Sequence, residues 1–191
     1  MGRTRLNPAR GIAMFTVVSA LVAISGALAA EQRAQPPAAD DLLPVRVLVG
    51  KWRGNSEGQQ GRATVEREYT GLFGTRFVQV RNRSTYAPQE KNPKGEVHED
   101  MGVFSFDKAR KQIVLRQFHV EGFVNQYVAE APSTRNTVVF TTEVIENIPP
   151  GFRARETYTI VGPDEFEELF ELAEPGKDFE LYSRARFTRV P

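Results

Sequence analysis

Residues 112–130 read QIVLRQFHVEGFVNQYVAE, and this stretch decides the fold. Two runs rich in Val and aromatics, 112–120 and 123–130, stand on either side of Glu121-Gly122. A link this short cannot hold the helical crossover that parallel strands require, so the runs pair antiparallel as a hairpin. Working outward, similar runs occupy 62–69, 75–86 and 97–106 on one side, and 137–145, 152–160, 165–172 and 179–188 on the other. Turn-forming groups separate them: Gly71 and Gly74, Asp107-Lys108, Pro149-Pro150-Gly151, Gly162-Pro163-Asp164 and Pro175-Gly176-Lys177. Each supplies either a positive φ or the fixed φ of proline. With a strand through Trp52 the count is about ten, an all-β meander.

Two architectures suit such a meander, a sandwich and a closed up-and-down barrel. Closure removes exposed edges, and a barrel of more than about eight strands leaves room inside for a ligand. The expectation is a single antiparallel β-barrel over residues 41–191. Alternation supports a two-faced sheet. Phe166, Phe170 and Leu172 share one side, opposite Glu165, Glu167 and Glu171, and Phe179, Leu181, Ala185 and Phe187 repeat the pattern. Glu167-Glu168 reads as part of the wet face. Before Trp52, DDLLPVRVLV (40–49) reads as a short helix or cover segment, because Pro44 limits any helix before it to a turn.

The N-terminus reads as an export signal. Residues 1–10 are basic, 11–28 are apolar and uncharged, and Ala27-Leu28-Ala29 places small residues where a secretory cleavage site needs them. Residues 1–29 are thus expected to be a signal peptide and 30–40 a flexible linker, with the mature chain periplasmic or extracellular and without a stable membrane span. The whole chain has net charge +1, but residues 1–29 carry Arg3, Arg5, Arg10 and no acid, which leaves the remainder at −2. A near-neutral body gives no electrostatic reason for a nucleic-acid partner. Absence of Cys excludes disulfides, thiolate metal sites and cysteine nucleophiles. No Gly-x-Ser-x-Gly, Walker or dinucleotide motif occurs in a suitable context.

The string Leu48-Val49-Gly50-Lys51-Trp52-Arg53-Gly54-Asn55-Ser56-Glu57-Gly58 carries a family likeness. Its Gly-x-Trp resembles the opening of the calycin superfamily, which includes the lipocalins. With Gly54 and Gly58 it resembles more closely the nitrobindin or THAP4-like haem-binding β-barrel domains, while Asn55-Ser56 departs from their pattern. That resemblance implies a ten-stranded barrel with an apolar pocket, haem held by a histidine on a late strand, and peroxynitrite isomerisation. The family's C-terminal pattern aligns with Tyr182-Ser183-Arg184-Ala185-Arg186-Phe187-Thr188-Arg189. Tyr182 stands at the histidine position, so the expected axial ligand is replaced; tyrosinate is itself a known ligand of haem iron. The resemblance also implies that Trp52 plugs one end of the barrel beneath an arginine of the last strand, Arg186 or Arg189.

Several residues are candidates for binding. His119 shares a strand face with Ile113, Leu115 and Gln117, and if that face is inward His119 and Gln117 meet the ligand. The opposite face, with Val114, Phe118 and Val120, is almost as apolar. Arg81, with Arg83, Phe77 and Gln79, is a candidate for a ligand carboxylate if it points inward. Tyr127 and Asn125 carry the same ambiguity. His98 and Asp100 share a face, but two ligands make a poor metal site and none is expected. The expected function is binding of a hydrophobic small molecule, lipid-like or haem. The alternatives are a haem-dependent nitrogen-oxide isomerase and an interaction module without a ligand.

Overall fold

The computed structural model describes residues 41–130 and 136–191; the expected signal segment and linker, 1–40, lie outside them. One short helix, α1 (Leu43–Arg46), precedes ten strands. These are β1 (Gly50–Gly58), β2 (Gly61–Leu72), β3 (Phe77–Tyr86), β4 (Glu96–Asp107), β5 (Gln112–His119), β6 (Val124–Ala129), β7 (Thr137–Glu146), β8 (Arg153–Gly162), β9 (Glu165–Ala173) and β10 (Glu180–Val190). Each strand pairs antiparallel with its sequence neighbours, and β10 pairs with β1, from Lys51↔Val190 to Gly58↔Ser183, closing a ten-stranded barrel. Among the described strands no edge is left unpaired. Among the described residues, no helix is long and apolar enough to cross a membrane.

Alternation sets the inside. Trp52, Val65, Tyr69, Val78, Val80, Phe104, Leu115, Tyr127, Phe140, Phe166 and Phe187 are buried at period two along their strands. One end of the barrel is filled by aromatic rings. Phe166 stacks on Phe187 at 4.5 Å and meets the edge of Trp52 at 4.8 Å. Gly54 lies where a Cβ would come 2.6 Å from the Arg186 carbonyl and 2.7 Å from the Phe187 ring, so β1 and β10 close tightly there only because this residue has no side chain.

Leu42, Val45 and Leu48, in and around α1, bury themselves in the same core cluster as Trp52. The indole Nε1–H donates to the Leu48 carbonyl at 2.7 Å. Above the ring, at 4.2 Å, lies the Arg189 guanidinium, which also donates to the carbonyls of Val47 (3.0 Å) and Val49 (2.8 Å). The cover segment is therefore tied to both the first and the last strand, at the end of the barrel where they pair. Arg186 instead lies outside, paired with Glu165 and 3.6 Å from Glu167.

Two strand faces differ from the alternation read along the sequence. A bulge between Leu181 and Ser183 shifts the register of β10 against β9. Leu181 is consequently exposed, while Tyr182 and Ser183 line the interior. Glu168 is also inside, on the Phe166 side of β9, with its side chain only 12% exposed. The wet face of that strand comprises Glu165, Glu167 and Glu171, without Glu168.

Candidate functional site

The end of the barrel opposite Trp52 encloses a cavity of about 570 Å³. That is within the ordinary range for a small-molecule site. Phe123, Ile145, Ile148, Phe152, Phe170 and Leu172 give it an apolar wall. Polar side chains from β1 to β6 and from β8 to β10 form much of the remainder.

Register explains how they converge. Asn82 of β3 is opposite Asp100 of β4, Asp100 is opposite His119 of β5, and Gln117 is opposite Asn125 of β6. Since partners across a ladder point to the same face, Asn82, Asp100 and His119 lie in one inward row and Gln117 and Asn125 in the next. Asp100 accepts from Asn82 Nδ2 and from Gln117 Nε2, each at 2.9 Å. Asn82 Oδ1 accepts from Arg67 Nε at 3.0 Å, and Arg67 pairs with Glu168. On the other side, His98 Nε2 lies 3.6 Å from Asp100 Oδ2 and 3.5 Å from His119 Nδ1. His98 Nδ1 contacts Glu121 at 2.7 Å, and His119 stacks on Phe123 at 4.0 Å.

Burial and neighbours divide the two imidazoles. Contact with Asp100, opposed by burial but reinforced by Glu121, raises the His98 pKa to about 9. Burial lowers that of His119 to about 4, so at neutral pH it is an uncharged ring beside an imidazolium. Burial pushes the Asp100 carboxyl up, but contact with His98 and the hydrogen bond from Gln117 outweigh it and hold the group below its usual value. Glu156 goes the opposite way. Buried, and facing the Glu168 carboxylate, it is raised to about 8, and it lies against the Tyr158 hydroxyl. Two buried acceptors, Gln117 Oε1 and Asn125 Oδ1, have no hydrogen-bond partner.

The structure brings His119, Gln117, Tyr127 and Tyr182 together around the cavity. Arg81 does not join them. It is exposed, because Val78, Val80 and Asn82 take the inner face of β3 and period two sends residue 81 outward. Arg67, Glu156 and Glu168 are site residues that the sequence reading did not single out, although each shares parity with a buried aromatic on its own strand: Tyr69, Tyr158 and Phe166.

A family model described as "THAP4-like, heme-binding beta-barrel domain" matches residues 41–189. No curated protein matches the chain. Among solved structures, the crystal structure of Rv2717c from M. tuberculosis is similar with a TM-score of 0.62 and 18% identity, covering 80% of this chain and 99% of that one. A redesigned β-barrel matches with a TM-score of 0.43 and 9% identity, over 78% of this chain and 96% of its own. A de novo designed fluorescence-activating β-barrel matches with 0.40 and 11%, over 76% and 95%. At 18% identity the likeness to Rv2717c is one of fold.

Proposed function

The chain belongs to the THAP4-like, haem-binding β-barrel domain family, and from that premise we propose that it is an exported carrier of an apolar-bodied small molecule with a neutral or cationic, hydrogen-bond-donating head. The observation that carries this reading is the pair of buried, unpartnered acceptors, Gln117 Oε1 and Asn125 Oδ1, at a cavity that also has an apolar wall. Leaving such groups unpaired is costly, and a ligand that donates to them recovers the loss. The charge around them has the same sense. Glu96, Asp100, Glu121 and Glu168 line the space, against Arg67 and His98 as cations. A lipid-like body fits the wall formed by Phe170, Leu172 and Ile145, while a carboxylate head meets acids and an arginine already held by Glu168.

The late strand of this cavity does not supply the imidazole that the family resemblance calls for at ferric haem. Tyr182 stands on the late strand where the family resemblance calls for a histidine, and burial raises its pKa, with Glu96 and Glu121 further opposing a phenolate. The haem propionates would add two more acceptors and two more negative charges to a lining that already has an excess of both. A nitrogen-oxide isomerase needs that group, so binding is favoured over it. Export rests on the basic, apolar and small-residue segments of 1–29.

Native mass spectrometry of the chain purified from an exporting host tests both parts of the proposal. The expected mature mass begins at Ala30 and carries a neutral or basic organic adduct, with no saturable Soret change on adding haemin. A stoichiometric haemin complex, or retention of residues 1–29, overturns the corresponding part.

A further inference from the structure

His98, Asp100 and His119 form a constellation that binding of an organic cargo does not require. They come from the paired strands β4 and β5, with Asp100 directly opposite His119 and His98 two residues before it on the same face. One donor atom from each lies within 4.8 Å of the others. His98 Nε2 is 3.5 Å from His119 Nδ1 and 3.6 Å from Asp100 Oδ2. A tetrahedral cation with bonds of about 2.0–2.2 Å separates its ligand atoms by roughly 3.3–3.6 Å, so these two separations are already the edges of such a polyhedron.

We propose that His98 Nε2, Asp100 Oδ2 and His119 Nδ1 bind a first-row divalent metal ion in the wall of the cavity, with its remaining coordination positions facing the cavity. Surrounding groups have the form of an outer shell. Glu121 holds His98 Nδ1 at 2.7 Å, the carboxylate–imidazole–metal arrangement that fixes a ring and its tautomer. Asn82 and Gln117 orient the Asp100 carboxylate. The other nitrogen of His119, Nε2, lies 3.3 Å from the Asn125 carboxamide nitrogen.

Gln117 Oε1, buried and without a partner, is a second sign of a missing ligand. It supplies an acceptor for a metal-bound water or a further ligand to the ion. Two imidazoles and one carboxylate select zinc, iron(II), cobalt or nickel over magnesium and calcium, which prefer all-oxygen sites. This inference does not depend on the identity of the organic cargo. Binding of the metal can succeed or fail with the cargo absent.

The test is titration of the untagged, chelator-stripped mature chain with cobalt(II), followed by visible absorption. The expected result is one saturable equivalent with intense bands of four- or five-coordinate cobalt, displaced by zinc and unaffected by magnesium. His98→Asn and His119→Asn each weaken binding at least tenfold, and Glu121→Gln weakens it by about 10–100-fold. Ring ¹⁵N shifts of both histidines on adding zinc give a readout that needs no variant. Absence of a saturable equivalent, unshifted histidine resonances, or a signal that survives in the folded His98→Asn/His119→Asn double variant overturns the assignment.

Discussion

Arg67 on β2 and Glu168 on β9 form an ion pair inside the barrel, 101 residues apart in the chain, with side chains only 9% and 12% exposed. Arg67 also lies 4.6 Å over the Phe187 ring and donates to Asn82, so it links the aromatic end to the polar floor. Breaking such a buried pair leaves one charge uncompensated. Arg67→Met is expected to lower unfolding free energy by about 3–5 kcal/mol. Arg67→Met/Glu168→Leu should recover a large part of that, measured by urea denaturation. Equal losses in the single and double variants would mean that packing over Phe187, and not the ion pair, is the main contribution.

Arg189 and Trp52 close the other end. Removing the guanidinium loses its stacking on the indole and its donors to Val47, Val49 and Pro163. Arg189→Ala is expected to cost about 2–3 kcal/mol. Because Trp52 is the sole tryptophan, its emission reports the plug directly. A red shift before global unfolding is expected in the variant and absent in the parent.

Glu156 provides a pH test. Its neighbours are Tyr158 on its own strand, Glu168 on β9, Arg67 on β2, Tyr127 on β6 and Asp100 on β4. With its pKa raised to about 8, the folded protein holds a proton that the unfolded chain has released above the ordinary carboxyl range. The folded state therefore binds more protons across that window, and stability falls as pH rises through it. Glu156→Gln removes this contribution. The gap between variant and parent in unfolding free energy should widen in favour of the variant between about pH 5 and about pH 8, by a few kcal/mol at most. A gap that stays flat with pH would contradict a protonated Glu156.

Gly54 tests the close approach of β1 and β10. A Cβ there meets the Arg186 carbonyl and the Phe187 ring at 2.6 and 2.7 Å. Gly54→Ala is expected to destabilise by about 1–3 kcal/mol in thermal melts. A neutral result would show that the seam has slack.

The barrel was legible because its signals are local. Hairpin links such as Glu121-Gly122 and repeated β-branched and aromatic runs determine strand number and pairing without any knowledge of the interior. The family resemblance also pointed to an arginine of the last strand over Trp52, but left Arg186 and Arg189 open; the structure places Arg189 there and Arg186 outside. Which face points inward was less accessible, since period two says which residues share a side and not which side is wet. On β5 both parities are apolar, and burial does not follow strict alternation: Val114 is as buried as Ile113 and Leu115, while Phe118 is exposed. On β3 the same ambiguity made Arg81 a ligand candidate, although it lies outside. Tyr182 turned inward through a bulge, which shifts parity without leaving a mark in composition. Arg67 and Glu156 escaped notice, and Glu168 was assigned to the wet face, because buried charges pair across strands far apart in sequence and no local pattern encodes the partner.

Calorimetric binding of dodecylamine, dodecanol and dodecanoate to the purified protein, with chelator present so that only side chains act, tests the cargo most directly. The three ligands share one apolar body and differ in the head. The acidic lining and the free acceptors of Gln117 and Asn125 predict the amine or the alcohol binding at least tenfold more tightly than the carboxylate, with that preference reduced in Glu121→Gln. Tighter binding of the carboxylate would contradict the account.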